Sequence, residues 1–394
     1  MTHPKIQYCN NCVYPSNTVN LTVETDGICS ACHTSFKQKS NMDVLKSDFW
    51  DQRKSLFLKR VEEVLKANSN RNKDFDCIVP VSGGKDSYYQ VHLIKSLGLN
   101  PLLVTYHGNN YLPEGDHNRD NMKNVFDTDH IVYSPSTDVL IKLNRIGFKR
   151  LGDMNWHAHC GISTLPHVIS VRLHIPLVIW GETPWDIAGM YFQDDDAEFS
   201  YQNRHDHDCR GTEWFDLIED EIDFITSKQM WWAKYPSEAE IQKSGLTGLY
   251  IGNYFPWLPN EHTRSMMALY DWRSSSSKFE RTYRTMSNLD DRYENGAHDL
   301  LKYIKFGYGR CSDHASKDIR TGDLTRAAAI ELVKRYDDIV SQDLYYWLDY
   351  VDMKESEFWK TADTFRSKSV WALEGNQWIK DSLWGDPVSE PVRY

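Results

Sequence analysis

The stretch that decides the fold is Asp76-Cys77-Ile78-Val79-Pro80-Val81-Ser82-Gly83-Gly84-Lys85-Asp86-Ser87, residues 76–87 of a 394-residue chain. Its first half is a short apolar run, which predicts a buried strand over 76–81. A helix is predicted over Ser87–Leu97, with Gly98 placed to cap its carboxyl end. The sequence between them is therefore a loop that joins a strand to the start of a helix.

That loop has the composition of a phosphate-binding site. Gly83 and Gly84 let the backbone approach an anion, and the free N–H groups at a helix start favour negative charge. The hydroxyls of Ser82 and Ser87 can donate to phosphate oxygens. Lys85 supplies a positive charge, and Asp86 can hold Mg²⁺ between phosphates. The Walker A spacing and the Gly-x-Gly-x-x-Gly dinucleotide pattern are both absent.

Outward from the loop, short apolar runs alternate with predicted helices. Further strands are expected at residues 101–106, 130–133 and 175–180, and helices at about 117–126 and 161–173. This alternation predicts an α/β fold with a parallel sheet covered on both faces. A ligand of such a sheet binds beyond the carboxyl ends of its strands, where the loop lies.

The N-terminal segment carries two cysteine pairs, Cys9-x-x-Cys12 and Cys29-x-x-Cys32. Four thiolates at this spacing favour a closed tetrahedral Zn²⁺ site with a structural role. A segment this short cannot hold a core of its own, so metal binding would be coupled to its folding. Free thiols, an iron–sulfur cluster, or His33 replacing Cys32 as a ligand are the alternatives.

Composition limits the function classes. The formal net charge is -11 and no long Lys/Arg run is present, which does not favour a broad nucleic-acid-binding face. No apolar stretch is long enough for a membrane span and the N-terminus lacks a signal-peptide core, so we expect a cytosolic protein without membrane association. Eight cysteines are too few for a disulfide scaffold at this length.

Four regions are expected along the chain. They are a zinc module (1–40), a nucleotide-binding domain (41–190), an aromatic-rich insertion on the substrate side (191–300) and a helical region that completes the active site (301–394). The aromatic residues of the insertion can pack in a core or form a wall that stacks on sugar rings or a nucleobase. In the last region a helix is predicted over 325–340 with Thr325 as its N-cap.

Three other segments are rich in functional side chains. Trp156-His157-Ala158-His159-Cys160, just ahead of a predicted helix, offers metal ligands, substrate contacts or buried polar groups. His205-Asp206-His207-Asp208-Cys209 is interpreted as a solvated loop. In Lys305-Phe306-Gly307-Tyr308-Gly309-Arg310, two glycines beside an Arg suggest a guanidinium presented to phosphate or carboxylate, with a structural turn and salt bridge as the alternative.

Ser82-Gly83-Gly84-Lys85-Asp86-Ser87 after a strand resembles the pyrophosphate loop of the PP-loop ATP pyrophosphatase superfamily, whose domain is of the adenine nucleotide alpha hydrolase type. The resemblance implies that ATP is cleaved between its α and β phosphates to activate an oxygen as an adenylate. It also implies adenine binding at the main chain of Tyr106. Gly181 and Glu182 end the fourth predicted strand beside the same crevice, where Glu182 is expected to contact Mg²⁺ or substrate, or to form a structural turn.

Together with the cysteine module and the run from Lys305 to Arg326, the loop resembles the WbpG/PseA-like N-acetyl sugar amidotransferases of bacterial surface-polysaccharide and nonulosonic-acid pathways. This implies conversion of the acetamido group of a sugar, expected to be nucleotide-linked, to an acetamidino group through an O-adenylyl imidate. Ammonia would come from a HisH-like glutaminase and a HisF-like cyclase-type partner. A PP-loop tRNA thiolase is the alternative enzyme, and a catalytically inactive nucleotide-binding scaffold is the third.

Overall fold

The computed structural model describes residues 4–44, 48–108, 110–181, 198–218 and 222–394. Its centre is a five-stranded parallel sheet in the order β3-β2-β1-β4-β5. The strands are β1 (Cys77–Pro80), β2 (Pro101–Tyr106), β3 (His130–Tyr133), β4 (Leu177–Trp180) and β5 (Thr247–Tyr250). The fold is thus α/β with a parallel sheet, as the sequence predicts.

Helices precede and connect these strands. Up to β5 they are α1 (Ser30–Val44), α2 (Asp48–Ala67), α3 (Lys85–Ser96), α4 (Pro113–Phe126), α5 (Thr137–Leu151), α6 (Trp156–Leu173), α7 (Tyr201–Asn203), α8 (Trp214–Leu217) and α9 (Glu238–Ser244). After β5 come α10 (Pro259–Tyr270), α11 (Glu294–Phe306), α12 (Arg310–Thr321), α13 (Arg326–Tyr336), α14 (Gln342–Val351) and α15 (Glu355–Thr364).

Both faces of the sheet are buried. In β1, Ile78 packs with residues of α5 and α6, whereas its neighbour Val79 packs on the other face with α2, α3 and α4. Successive side chains of a strand point to opposite faces, so a run that is apolar at every position needs cover on both sides. This explains why β1 and β2 read as continuous apolar runs rather than as alternating ones.

The order of the strands fixes where a ligand can bind. From β1 the chain moves through β2 to β3 on one side and then returns to place β4 on the other side of β1. The connections after β1 and β4 therefore diverge and leave a crevice at the carboxyl ends of these strands. The residues 82–87 follow β1 and Gly181 follows β4, so both lie at this switch point.

Several element bounds differ from the sequence predictions. Helix α3 begins at Lys85, two residues before the predicted start, and Gly98 follows its C-cap with a φ of +80°, the left-handed conformation expected there. Helix α6 begins at Trp156 rather than near residue 161, so the segment 156–160 is its first turn and not a preceding loop. The predicted helix over 325–340 ends at Tyr336, and the Thr325 hydroxyl caps it by accepting the N–H of Ala328.

Two elements were not predicted. Strand β5 extends the sheet from within the region assigned to an insertion, and pairs in parallel with β4. The C-terminal region is helical through Thr364, but the chain then forms a three-stranded antiparallel sheet of β6 (Trp371–Glu374), β7 (Gln377–Lys380) and β8 (Val388–Pro391). The sequences of β5 to β8 include polar residues or glycine and lack the continuous apolar run that marks β1 and β4. Among the described residues, no helix is long and apolar enough to cross a membrane.

Candidate active site

The loop after β1 is folded by its own serines. The Ser82 N–H donates to Ser87 Oγ at 3.0 Å, and the Gly84 N–H donates to Ser82 Oγ at 3.3 Å. Gly84 is the N-cap of α3, whose first residues are Lys85 and Asp86. Both serine hydroxyls accept within the loop and lie 3.5 Å apart, so one can donate to the other and the second keeps its proton for a ligand. The start of α3 thus carries a donor hydroxyl and unpaired helix N–H groups, as anion binding requires.

Gly83 is required at its position by both conformation and space. Its φ is +83°, and a Cβ on this residue would lie 2.6 Å from the Arg119 nitrogen and 2.8 Å from Arg119 Cα. Its carbonyl accepts a hydrogen bond from the Trp272 indole at 3.0 Å. The loop is therefore held between the backbone of α4 and the segment that follows α10.

Asp86 is held on both of its oxygens. Oδ2 accepts from Lys85 Nζ at 2.6 Å, and Oδ1 lies 3.1 Å from His262 Nδ1. Because the Leu258 N–H donates to His262 Nε2 at 3.0 Å, Nδ1 carries the proton and donates to Asp86. Burial raises the pKa of Asp86, but Lys85 and then His262 outweigh it and hold that pKa below its usual range. Asp86 is thus a charged, oriented carboxylate of the kind that binds Mg²⁺.

These contacts come from residues that the sequence analysis missed. His262 lies in α10, where it also stacks on Tyr89 with ring centroids 3.6 Å apart. His262 and Trp272 are 176 and 189 positions beyond their partners Asp86 and Gly83. No local sequence pattern marks a residue whose partner is this distant.

A single cavity of about 580 Å³ opens beside the loop. Its lining includes Ser82, Gly84, Lys85, Asp86 and Ser87 of the loop, together with Tyr106, Gly181 and Arg310 of the other predicted positions. Gly83 contributes its backbone to the loop but does not line the cavity. Glu182, and the segment Thr183-Pro184-Trp185 after it, lie outside the described residues. The structure therefore brings seven side chains or glycines predicted from sequence, plus Arg310, to one crevice.

Tyr106 ends β2 and is only 6% exposed. Its hydroxyl lies 3.1 Å from His157 Nδ1, so the side chain belongs to a buried polar network rather than to open solvent. Gly181 ends β4, and a Cβ there would lie 3.2 Å from the Trp257 ring and 3.3 Å from Gln90 Oε1. At both Tyr106 and Gly181, the backbone rather than a flexible side chain lies at the mouth of the crevice.

Arg310 is the first residue of α12. Its Nε donates to Asp299 Oδ1 at 3.0 Å, and the guanidinium lines the cavity, so the salt bridge and the presentation to a ligand occur together. Burial lowers the pKa of His314 far below its usual value, and Arg284, Arg310, Lys85 and Lys317 lower it further. Arg310 of α12 and Lys85 of the loop both lower the pKa of the same imidazole, that of His314. The positive charge of α12 therefore lies close to the loop.

His157 is a buried polar group, one of the roles considered for it, and it also lines the cavity, where a substrate could contact it. Its Nε2 lies 2.9 Å from both carboxylate oxygens of Glu294, and Asn144 Nδ2 donates to Glu294 Oε1 at 2.8 Å. His159 lines the same cavity near Asp153, with Nδ1 3.7 Å from Oδ2. The first turn of α6 is thus a polar wall of the crevice.

The segment 205–209 is partly solvated, as predicted for residues 205–208, but it is helical rather than a loop and its last residue is buried. Residues 204–208 form a π-helical turn, and Arg204 at its start is fully buried, donating to Glu213 Oε1 at 2.6 Å and to Thr164 Oγ1 at 2.7 Å. Cys209 is also fully buried, and Asp208 lines the cavity. The polar side chains of His205, Asp206 and His207 stay in contact with solvent, whereas the buried charge of Arg204 just before them is paired with Glu213.

The four cysteines of the N-terminal segment meet as predicted. Cys9, Cys12, Cys29 and Cys32 are fully buried, and their sulfurs all lie within 4.8 Å of one another. The Cys9–Cys32 and Cys12–Cys29 sulfur separations are 3.9 Å and 3.7 Å. Zinc–sulfur bonds of about 2.3 Å in a tetrahedron place sulfurs roughly 3.8 Å apart. The cluster therefore fits Zn²⁺, and with four thiolates it leaves no open position for catalysis.

Taken together, the fold and the site define an α/β protein with a Ser- and Gly-rich loop at the switch point of a parallel sheet and a helical C-terminal part. Residues 275–382 match the family model described as "LPS biosynthesis protein WbpG-like, C-terminal domain". This segment contains α11 to α15 and Arg310. The match covers a minority of the chain, and it makes that segment similar to the WbpG-like domain.

Two further comparisons concern Methanocaldococcus jannaschii. An uncharacterized protein of this organism is 34% identical over 98 residues, which are 24% of this chain and 31% of that protein. The chain thus spans less than a third of that relative's length. A solved structure titled as a predicted subunit of tRNA methyltransferase aligns with 59% of this chain and 87% of its own, at 11% identity and a TM-score of 0.26. A TM-score this low does not establish a common fold.

Proposed function

We propose that this protein is an ATP-dependent amidotransferase that converts the acetamido group of an N-acetylated sugar to an acetamidino group. One observation carries the proposal: the Ser82–Ser87 loop and Arg310, which lies in the WbpG-like segment, line the same cavity. The loop fits a nucleotide phosphate chain, and the printed description of the matched domain concerns lipopolysaccharide biosynthesis. A sugar substrate and an ATP-activated step are both consistent with this combination.

The proposed reaction needs activation because an amide oxygen is a poor leaving group. Transfer of AMP to that oxygen gives an O-adenylyl imidate and releases pyrophosphate. Ammonia then adds to the imidate carbon, the carbon–oxygen bond breaks, and AMP leaves with the oxygen. The product is an amidine that contains NH where the substrate had oxygen.

The residues of the loop would act by positioning and by charge. The N–H groups of the α3 start, the hydroxyls of Ser82 and Ser87, and Lys85 would bind the phosphates, with Asp86 holding Mg²⁺ between them. Arg310 would neutralise charge on the triphosphate or on a sugar carboxylate. Preorganised charges of this kind supply most of the catalysis in phosphate chemistry because they need no rearrangement during the step.

Other assignments remain part of the proposal. The main chain at Tyr106 and Gly181 would border the adenine site, and Glu182 would contact Mg²⁺ or substrate. A HisH-like glutaminase with a HisF-like partner would supply ammonia in the cytosol. The chain would comprise a zinc module (1–40), a nucleotide-binding domain (41–190), an insertion on the substrate side (191–300) and a helical region that completes the active site (301–394).

The test is incubation of the protein with Mg²⁺, ATP, ammonium and an N-acetylated nucleotide sugar. We expect pyrophosphate together with a sugar product one mass unit lighter than the substrate. Asp86→Asn is expected to lower the rate of pyrophosphate release at least about 100-fold, because the metal-binding charge is lost while the residue's size is kept. Its melting temperature is expected to stay close to that of the wild type.

Three results would contradict the proposal. Pyrophosphate that appears only with tRNA and a sulfur donor would support the thiolase instead. ATP binding without turnover of any acceptor would support an inactive scaffold. Unchanged activity of the Asp86→Asn variant would refute the role of this residue.

A further inference from the structure

The cavity carries negative as well as positive charge. Asp290, Asp291 and Glu294, at and just before the start of α11, line it along with Lys85 and Arg310. The cations suit the phosphates of ATP. The carboxylates would repel phosphate, so they must face a different part of the reaction. The second half of the proposed reaction has such a part, because it consumes ammonia and forms a basic amidine.

Glu294 is fully engaged by its neighbours. It is 2% exposed, and its two oxygens accept from His157 Nε2 and Asn144 Nδ2. The opposite ring nitrogen of His157, Nδ1, then accepts the Tyr106 hydroxyl proton at 3.1 Å. Glu294 is therefore held in a hydrogen-bond network in which both of its oxygens already have partners.

Asp291 differs because only one of its oxygens is engaged. Oδ1 accepts the N–H of Tyr293 at 2.7 Å and that of Glu294, which holds the carboxylate at the start of α11. Oδ2 faces residue 108, where a Cβ would lie 4.0 Å from it, but this residue is a glycine. Gly108 and Asp291 both line the cavity. In the described part of the chain, no Lys, Arg or His forms an ion pair with Asp291.

The surroundings of Asp291 make it a stronger base than an ordinary aspartate. Burial, and then the carboxylates of Glu294 and Asp290, raise its pKa well above the usual value. The phenols of Tyr111 and Tyr350 are near enough to feel the charge of Asp291 in turn. His157 presents Cε1, which bears no titratable proton, to the same glycine.

We propose that Asp291 is the general base that takes a proton from ammonium in the amidation step. The Asp291 carboxylate removes one proton from NH₄⁺, and the NH₃ produced adds through its lone pair to the imidate carbon. The bond from that carbon to the AMP oxygen breaks and AMP leaves. The three hydrogens of NH₃ stay on the two nitrogens of the product, which departs as an amidinium ion, and the proton on Asp291 passes to the phosphate of the departing AMP. This inference rests on the proposed function and names the residue that acts in its second half.

The assignment agrees with the energetics of proton transfer. Ammonium is a weak acid, and an aspartate with a pKa near about 3.9 would take its proton rarely. General bases work best when their pKa lies near the working pH, and they contribute about 10²- to 10⁴-fold to a rate. Asp291 has the burial, the like charges and the open oxygen that this role needs.

The test compares two nucleophiles in the wild type and in Asp291→Asn. Ammonium must lose a proton before it attacks, whereas hydroxylamine is already unprotonated at neutral pH. Asparagine keeps an oxygen that can accept the N–H groups of Tyr293 and Glu294, so the start of α11 is preserved. We expect the variant to lose at least about 100-fold in ammonium-dependent turnover. Acceptor-dependent pyrophosphate release in a single turnover, and formation of the N-hydroxyamidine with hydroxylamine, are expected to stay within about threefold of the wild type.

Each other outcome has a distinct meaning. Equal losses with ammonium and hydroxylamine would overturn the role as a base and make Asp291 a structural residue, and normal turnover with ammonium would also overturn it. A wild type that releases no pyrophosphate with any N-acetylated nucleotide sugar would overturn the proposed function itself. The hydroxylamine rate of the variant also reports that its active site is folded.

Discussion

At the scale of single residues, the hydrogen bonds around Asp86 assign a role to His262. The Leu258 N–H fixes the tautomer of His262, and the proton on Nδ1 is directed at Asp86 Oδ1. His262 is 3% exposed and does not line the cavity, so it acts on a ligand only through Asp86. It is a positioning residue for the carboxylate that would bind Mg²⁺.

We predict that His262→Leu lowers kcat by about 10- to 100-fold, because Asp86 loses the donor that orients it. In His262→Asn, the amide Nδ2 takes the place of the imidazole Nδ1, and most of the activity should return. The kcat and the KM for ATP of both variants should be measured over a range of Mg²⁺ concentrations. Equal activity in the two variants would show that the hydrogen bond has no role.

Gly83 and Gly98 allow the free-energy cost of replacing a left-handed glycine to be separated into a conformational part and a steric part. Gly83 and Gly98 have φ values of +83° and +80°, but only Gly83 has atoms within 4 Å of the position of a Cβ. Gly98→Ala is expected to cost about 1 kcal/mol, the price of a left-handed alanine. Gly83→Ala is expected to cost about 1–3 kcal/mol more, because it also overlaps the Arg119 backbone. Urea unfolding of both variants tests this, and equal costs would contradict it.

At the scale of elements, the N-terminal segment that carries the four cysteines supports α12. Arg326 at the start of α13 donates to the carbonyls of Cys12 and Cys9 at 3.0 Å and 3.1 Å. The Tyr14 hydroxyl donates to Asp313 of α12 at 3.2 Å, and Tyr308 packs in the cysteine cluster. Removing the metal would therefore disturb the turn that places Arg310.

We predict one zinc ion per chain and its loss in Cys12→Ala. The variant should be destabilised by at least about 3 kcal/mol, because metal binding drives the folding of such a module. Cys77→Ala is the matched control, since Cys77 is equally buried but lies in β1. Metal analysis and thermal melting are the measurements. Full zinc content in Cys12→Ala would refute the ligand assignment.

Helix α10 and the residues after it are the second supporting element. They contact the loop twice, through His262 to Asp86 and through Trp272 to Gly83. The loop composition could be recognised from the sequence because its function depends on adjacent residues. Its supports could not, because they arrive from distant parts of the chain only when the sheet and its helices have packed.

At the scale of the whole molecule, one buried carboxyl group links stability to pH. Asp343 of α14 packs against Gly296 of α11, and burial, then Glu280 and Asp299, raise its pKa to about 6. The folded protein therefore binds this proton more tightly than the unfolded chain, where the pKa is near about 3.9. Asp343 does not lower the free energy of unfolding below about pH 4, and it lowers it increasingly as the pH rises to about 6.

We predict that Asp343→Asn is about 2 kcal/mol more stable than the wild type near pH 7, and equal to it near pH 4. Asp349→Asn, on an exposed position of the same helix, is the control and should change stability little at either pH. Urea unfolding at the two pH values measures the difference. A gain that is the same at both pH values would exclude the ionisation of Asp343 as its cause.

The sequence by itself determined the features whose information is local. Apolar runs gave β1 to β4, the two CxxC pairs gave the metal cluster, and Ser82–Ser87 gave the anion-binding loop. Each depends on residues that are adjacent or nearly so, and on chemistry that a few side chains fix. Strand β5 and the last sheet were not predicted because their strands lack the continuous apolar runs of β1 and β4.

Only the tertiary structure decided how the site is completed. It placed Arg310 and His314 beside the loop, buried Arg204 against Glu213, and brought Asp291 and Glu294 into the same cavity as Lys85. The physical reason is that burial and electrostatic potential depend on every group packed nearby. A carboxylate acquires its orientation and its pKa from neighbours that lie far away in the sequence.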